Sequence, residues 1–455
     1  MFYCYLSVVR IPIWFIICSI FHLHKEGVFI LQANKNRWLI AASAIAIHLS
    51  IGSVYAYSVY QNPLNESLGW DIGAVTFAFT TAIFFLGMSA AFLGKFVERN
   101  GPSKSAMISA VLFGTGTLGA GFGIQMESLP LFVLFYGVIG GVGLGIGYIS
   151  PVSTLVKWFP DRRGLATGMA VLGFGAGSLI TSPVAEWLMG MISIPATFYT
   201  LGAAYLILMF AGASYIAPPP AGWEPANMKK QEQKKEEKKK KKDTQGDLAQ
   251  LNARESLKTF RFYLLWGMMF INISAGIMLL AVASNMTQAI TGAGSAAAAT
   301  IVGIMGFFNG FGRIGWASAS DYIGRTNTYI IFFVLQLGAF ILLPFTTNEI
   351  LFAILLFIIM TCYGGGFACL PAYIGDLFGT KQLGAIHGYT LTAWAMAGVF
   401  GPMAVSAIVG ATADYTGAFV LFIFLLAIAL VMAILMHLNI KRIRKQQSAT
   451  SESTT

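Results

Sequence analysis

Apolar runs of about 20 residues recur along the whole chain, and they constrain its fold more than any other feature. Each run is long enough to cross the ~30 Å hydrocarbon core of a bilayer as a helix. Only 11% of the 455 residues are charged, against about 25% in soluble domains. We therefore predict an all-α membrane protein with twelve transmembrane helices, near residues 38–60, 74–97, 105–123, 131–156, 164–189, 197–217, 261–285, 296–319, 328–344, 351–374, 385–409 and 417–437.

Lysine and arginine are confined to alternate loops between these runs. The loops near 61–73, 124–130, 190–196, 286–295, 345–350 and 410–416 contain neither residue. Basic loops stay on the cytoplasmic side of a membrane, so we predict cytoplasmic termini in the plasma membrane of a bacterium. The net charge of +10 then reflects topology and contact with anionic lipids at the cytoplasmic face, and it does not indicate nucleic acid as a partner.

The first 33 residues do not fit this pattern. Their apolar stretch, 11–20, is short for a span, and no small-residue cleavage site follows it. A signal-like segment or a thirteenth helix is one interpretation. We favour a start-site artefact, because codons for Lys25, Glu26 and Gly27 can spell a bacterial ribosome-binding sequence upstream of Leu31, which the alternative start codon TTG can encode.

A polar segment separates two similar halves. Residues 218–259 contain a nearly pure Lys/Glu/Gln run at 229–242, which predicts a disordered basic cytoplasmic linker. The loops at 94–101 and 157–164 have counterparts about 220 residues later, and such self-similarity marks an internal repeat. We predict an N-terminal six-helix bundle at 34–217, a C-terminal bundle at 260–438 and a cytoplasmic tail at 439–455.

Arg313 is the only Lys or Arg in the interior of a predicted span, and no Asp or Glu lies at comparable depth. A cation in hydrocarbon costs several kcal/mol unless it is paired. A transported anion is the natural partner, and this indicates a carrier for small anions. The alternative is that Arg313 snorkels to the cytoplasmic surface.

Several side chains fall in the same layer as Arg313. A rise of ~1.5 Å per residue places them about 12–15 Å from the cytoplasmic ends of their helices, where carriers bind substrate. We predict that Arg313 forms a substrate site in this layer together with His48, Tyr148, Phe174 and Trp394. We predict that Tyr55 lines the outer vestibule of this site. Core packing is the alternative for each aromatic residue, and His48 is either a proton relay or a satisfied buried histidine.

Two motifs carry a resemblance to a known family. They are WFPDRRG, residues 158–164, and NGFGR, residues 309–313. With these motifs the chain resembles the major facilitator superfamily, and more narrowly its oxalate/formate antiporter and monocarboxylate-carrier branch, over about residues 38–437. The resemblance implies two pseudo-symmetric six-helix bundles around a central site, with access alternating between the membrane faces.

Charged loop residues are candidates for ion pairs that close the cytoplasmic gate. The alternative for each is a solvated loop charge. These gating candidates are Glu98, Arg99, Arg162, Arg163, Asp321 and Arg325.

The resemblance also bears on substrate charge. Oxalate carriers of this branch use an arginine in helix 8, matched by Arg313, and a lysine in helix 11, where this chain has Trp394. One cation suits a monoanion, because a second carboxylate would be buried unpaired. We predict a monocarboxylate such as formate, lactate or pyruvate, and we include Asn309 of the NGFGR motif among the substrate-binding residues.

The predicted function is secondary transport of these anions, by exchange or by symport with protons. The alternatives are an oxalate/formate-type dicarboxylate antiporter and a carrier-fold nutrient sensor without transport. The sequence has no P-loop, no metal-spaced His/Cys cluster and no nucleophile elbow. We therefore predict no enzymatic activity, no cofactor and no metal.

Overall fold

The computed structural model describes residues 35–159, 163–220, 248–379 and 382–452. The N-terminal extension, the Lys/Glu/Gln run and Arg162 lie outside the described residues, as do the side chains of Glu98 and Arg163. Predictions for them therefore remain predictions.

Twelve long helices cross the described part of the chain, which contains no strand. Eleven of them are long and apolar enough to span a membrane by length and composition, and the twelfth is Arg163–Met191. The first half contains α1 (Arg37–Leu68), α2 (Ile72–Phe92), α3 (Pro102–Gln125), α4 (Leu129–Phe132, Val133–Ile139 and Gly140–Trp158), α5 (Arg163–Met191) and α6 (Ile194–Tyr215). The second contains α7 (Phe260–Thr291), α8 (Ser295–Ile323), α9 (Arg325–Phe345), α10 (Glu349–Phe378), α11 (Leu383–Thr412) and α12 (Thr416–Glu452).

Two helices depart from regular α geometry. In α1 the segment Ser53–Tyr60 is a 3₁₀ helix, and in α4 the segment Val133–Ile139 is a π-helix. Both are long for their types, which occur mainly as single turns. Every residue of the 3₁₀ segment is buried, so neighbouring helices cover the irregular backbone.

The two halves meet along glycine-lined seams. A Cβ atom added to Gly175 of α5 would lie 2.7 Å from the backbone of Gly310 in α8, and one added to Gly87 of α2 would lie 2.6 Å from the backbone of Ala395 in α11. Small residues let helix backbones approach closely where no water drives association. These seams bring the inner faces of both halves within side-chain reach of each other.

The two ends of the molecule differ in charge. We call the end with Arg99, Lys104, Lys157 and Arg325 the basic face. At the other end, Ser53–Tyr60 of α1 and residues 274–284 of α7 are buried throughout. The backbone N–H of Ser284 donates to the Ser58 hydroxyl at 3.3 Å across the two halves. The structure is therefore closed between α1 and α7 opposite the basic face.

The segment before α7 is attached to the second half. Leu248 N–H donates to the Asp376 carbonyl at 2.9 Å, and Leu251 N–H donates to the Phe378 carbonyl at 2.8 Å. The Gln447 side chain of α12 donates to the Leu248 carbonyl at 3.2 Å. Residues 248–251 thus bridge the basic-face ends of α10 and α12, and α12 continues beyond the predicted end of the bundle at residue 438.

A side chain on Gly175 tests the seam between α5 and α8. Gly175→Leu should destabilise the protein by about 1–3 kcal/mol, because backbone atoms, which cannot rotate away, occupy the space. Gly338→Leu in α9 is the matched control, since a Cβ there meets nothing within 4 Å. Thermal unfolding of both variants in the same detergent measures the difference. Equal stability of the two variants would show that the halves do not meet at Gly175.

Candidate functional site

Arg313 lies inside α8 and is 1% exposed. Its Nε donates to Oδ1 of Asn309, one helical turn earlier, at 3.3 Å. Asn309 itself lies against α10, where a Cβ added to Gly364 would come within 2.8 Å of Asn309 Oδ1. The NGFGR motif therefore places a cation and the amide that orients it on one face of α8, and a glycine in α10 leaves room for both.

Among the described residues, no carboxylate compensates this charge. Arg313 is the only buried Lys, Arg, Asp or Glu among residues whose burial the structure describes. Its guanidinium carbon lies 5.7 Å from the ring centre of Phe174 and 5.3 Å from that of Phe367. Such cation–π contacts stabilise a desolvated cation by ~2 kcal/mol or more, but they do not neutralise its charge. The positive charge thus remains available to an anion, and snorkelling is not observed.

Buried hydrogen-bond donors lie at and near the guanidinium. Neither Nη atom of Arg313 has an acceptor at regular hydrogen-bond geometry, and the Tyr55 and Tyr148 hydroxyls lie close enough to accept weakly from the guanidinium. Nδ2 of Asn309 and Nε1 of Trp394 are also buried without an acceptor. Burying an unsatisfied donor costs about 1–3 kcal/mol. A group of buried donors with no acid nearby is the complement of a small anion.

Aromatic rings from both halves enclose this group. Trp394 of α11 lies 4.7 Å from Phe367, 5.3 Å from Tyr148 and 6.1 Å from Phe174, measured between ring centres. Arg313 contacts two of these rings, Phe174 and Phe367. Trp394 and Arg313 therefore flank the same aromatic pair, and the predicted layer forms one contiguous cluster.

His48 belongs to the wall formed by the first half. Its ring stacks on Tyr148 with centres 5.6 Å apart, and its Nε2 lies 3.2 Å from the Tyr148 backbone carbonyl. Because a carbonyl only accepts, Nε2 is the donor in this contact. The arrangement favours the satisfied buried histidine over the proton relay. Tyr148 is the cluster member that retains partial exposure.

Tyr55 lies in the buried aromatic cluster next to Arg313, closer to the centre of the protein than the outer vestibule in which it was predicted. Its ring centre is 5.0 Å from Phe174, it is fully buried, and its hydroxyl is 2.8 Å from the hydroxyl of Tyr363 in α10. Counting residues along α1 gives length along that helix but not its stagger against α5 and α10. Tyr55 and Tyr363 thus join the halves beside Arg313.

Sequence analysis missed two members of the cluster, Tyr363 and Phe367. Both lie on α10 one turn apart, and their ring centres are 5.4 Å apart. The internal repeat contained a signal for them, because about 220 residues after Tyr148 the chain reaches the position next to Phe367.

The gating candidates are only partly brought together. Arg325 forms an ion pair with Asp321 one turn earlier. Nε of Arg325 also lies 3.9 Å from Oδ2 of Asp376 at the end of α10. All three belong to the second half, so this network does not bridge the halves. Arg99 is exposed. The gating role of these residues stays a prediction.

Comparison with known proteins agrees with this geometry. The Major Facilitator Superfamily profile matches residues 42–402 and, in a second match, 264–454. The chain belongs to this superfamily, which makes it a membrane transporter and not an enzyme.

Individual relatives narrow the branch. The chain is 29% identical over 371 residues to the oxalate:formate antiporter of Oxalobacter formigenes, covering 80% of this chain and 83% of the relative. It is 25% identical over 383 residues to monocarboxylate transporter 12 of Xenopus laevis, covering 80% of each. A bacterial homologue of the human lysosomal transporter Spinster, solved inward-facing and unoccupied, shares the fold, with a TM-score of 0.66 at 13% identity over 90% of this chain and 98% of that one.

Substitution of Arg313 tests the site. Arg313→Gln should abolish transport, because the neutral amide removes the only buried cation described at the site. Insertion should persist, because losing an unpaired buried charge relieves a desolvation cost. Arg313→Lys should keep part of the activity, since it preserves charge without the planar two-point grip on carboxylate. The measurement is uptake of labelled formate into proteoliposomes, and Arg442→Gln, a substitution at an exposed residue, is the control. Near wild-type uptake by Arg313→Gln would contradict this assignment.

Proposed function

We propose that this protein is a secondary active carrier of small monocarboxylates such as formate, lactate or pyruvate, with Arg313 as the counter-ion. The observation that supports it most is a buried cation with no carboxylate partner among the described residues, close to two buried donors that have no acceptor, Nδ2 of Asn309 and Nε1 of Trp394. A carboxylate offers two oxygens to a guanidinium in bidentate geometry, and it would satisfy donors that otherwise remain unpaired.

The charge of the site favours one carboxylate over two. Within the described residues, the cluster around Arg313 contains no second Lys or Arg, and Trp394 occupies the α11 position in contact with Tyr148, Phe174 and Phe367. Trp394 can offer one neutral N–H. A second carboxylate would be desolvated without a cation, at a cost of several kcal/mol.

The two halves contribute different groups to the proposed complex. Asn309, Arg313 and Trp394 belong to the second half and supply the donors, whereas His48, Tyr148 and Phe174 belong to the first half and supply ring surfaces. A carboxylate held by α8 would direct its remaining atoms toward the first half. Substrate would then contact both halves at once, which couples binding to closure in alternating access.

Contacts across the halves indicate how access could alternate. The hydrogen bond between Tyr55 and Tyr363 and the contact between Ser58 and Ser284 close the side opposite the basic face. In the proposed cycle these contacts break when the site opens toward that side. A neutral–neutral hydrogen bond contributes about 1 kcal/mol net, which is small enough to be exchanged for substrate contacts.

The single buried cation also bears on energy coupling. Closing an empty site around Arg313 leaves its charge unpaired, whereas closing a site loaded with a monoanion buries a neutral pair. We therefore expect exchange of anions to be faster than net movement of one anion, and proton symport to be the second possibility. No buried carboxylate is described that could carry the proton.

Exchange can be measured directly. Proteoliposomes loaded with unlabelled formate should take up labelled formate at least tenfold faster than empty ones, because an energy difference of ~1.4 kcal/mol between loaded and empty closure already gives that ratio. An imposed pH gradient forms the second arm. If empty proteoliposomes show the same rate and a pH gradient drives accumulation, the carrier is a proton symporter. Absence of uptake in every arm would favour the sensor alternative.

Competition tests the charge number of the substrate. Formate, lactate and pyruvate should inhibit labelled uptake well and oxalate poorly. Trp394→Lys should add a cation beside Arg313 and shift preference toward oxalate by ~1.5–3 kcal/mol, the range for hydrogen bonds to charged groups. Trp394→Phe is the matched control, because it removes the N–H without adding charge. If oxalate is the strongest competitor of the wild type, a dicarboxylate antiporter is the correct alternative.

A further inference from the structure

A cavity that does not include Arg313 opens at the basic face of the second half. Its volume is about 780 Å³. The turn between α8 and α9, the end of α10, Leu248 and the last turns of α12 form its walls. None of its lining residues belongs to the central site, although two of them, Asp321 and Arg325, are gating candidates.

Three cationic and two acidic side chains line this cavity. Lys441 and Arg444, three residues apart on α12, line it together with Arg325 of the α8–α9 turn. The carboxylates are Asp321 and Asp376, and both lie within ion-pair distance of Arg325. With His437 neutral, the lining carries one net positive charge. That charge matches a phosphodiester, which carries one negative charge, better than it matches a phosphate dianion.

The depth of the cavity matches the lipid headgroups. Counted from Thr416 at the start of α12, Lys441 and Arg444 lie about 38 and 42 Å along the helix. The hydrocarbon core is ~30 Å thick and the bilayer with headgroups ~40–45 Å. Both cations therefore reach the headgroup region at the basic face.

Apolar side chains continue from the cavity toward the bilayer centre. Within the three turns before Lys441, α12 exposes Val431, Ile434, Leu435 and Leu438. At the cavity rim, Tyr322 is 90% exposed. An exposed tyrosine at this level is typical of a membrane interface, where the ring contacts acyl chains and the hydroxyl contacts water.

From these four observations we infer that the cavity binds the phosphate of an anionic phospholipid, with Lys441 and Arg444 as its cationic ligands. The lipid tails lie along the exposed α12 surface. Basic pockets between transmembrane helices at the cytoplasmic side bind acidic headgroups in this way. A soluble phosphate ester presents the same chemistry, and the depth and the apolar surface favour the lipid.

A bound lipid would connect α12 to the gating network. Its phosphate would lie beside Arg325, which holds both Asp321 and Asp376, and beside Leu248, whose carbonyl accepts from Gln447. The lipid would therefore stabilise the basic-face ends of α8, α10 and α12 as one unit.

The experiment compares two double variants with equal loss of charge. Lys441→Gln/Arg444→Gln removes the proposed ligands, and Arg442→Gln/Lys445→Gln removes two exposed cations of the same turns that do not line the cavity. The full-length protein is purified from mixed phosphatidylglycerol and phosphatidylcholine, and retained lipids are counted by native mass spectrometry. Each basic residue near a lipid surface contributes about fivefold in affinity, so the first variant should retain phosphatidylglycerol about 10- to 30-fold more weakly, and the control should match the wild type.

Added inorganic phosphate identifies the source of the ligand. Phosphatidylglycerol that is retained in millimolar phosphate supports a lipid site. Its displacement by phosphate in the wild type shows that the cavity takes soluble phosphate, which overturns the lipid assignment. Equal retention by both double variants shows that net charge alone attracts the lipid, and it overturns the site. Uptake of labelled formate by both variants in neutral liposomes verifies that they fold.

Discussion

The central structure depends on a buried guanidinium that has no acidic partner among the described residues. Asn309 accepts from Nε of Arg313, and two rings lie over the cation. A hydrogen bond to a charged group contributes about 1.5–3 kcal/mol, and each cation–π contact to a desolvated cation contributes ~2 kcal/mol or more. This total is comparable to the several kcal/mol that an intramembrane charge costs. The protein can therefore hold Arg313 in place without a carboxylate, and a ligand would compete at its Nη atoms only with the neutral hydroxyls of Tyr55 and Tyr148.

The glycines of α8 and α10 make this environment possible. Gly310 faces Gly175 of α5, and a Cβ added to Gly312 would overlap the backbone of Thr361 in α10. Helix α8 thus packs closely against α5 of the first half on one side and against α10 of its own half on the other. Close approach on both sides positions Arg313 beside Phe174 and Phe367, because cation–π geometry requires separations of about 6 Å. Packing along the seams and chemistry at the site are consequences of the same small residues.

Much of the fold was accessible from the sequence, because a bilayer admits few solutions. Hydrocarbon offers no partner to backbone polar groups, so an apolar run of about 20 residues must form a helix. The repeat and the NGFGR motif then identified the two bundles and Arg313. The 3₁₀ segment of α1 and the π-helical segment of α4 were not accessible, because both depend on packing between helices that no local pattern records. Tyr55 was assigned to the layer's outer side for the same reason, since residue counts ignore stagger.

The missed residues also show where pattern reasoning ends. Tyr363 and Phe367 are aromatic residues in an apolar helix, and composition does not distinguish them from lipid-facing or core positions. At the basic face the charged residues were visible in the sequence, but their spatial relation was not. Lys441 and Arg444 were visible as tail charges, but their relation to Arg325 depends on α12 extending past the bilayer and on Leu248 lying between α10 and α12. The central site can be read largely from one charged residue in an apolar run, whereas the basic-face cavity exists only where separate segments meet.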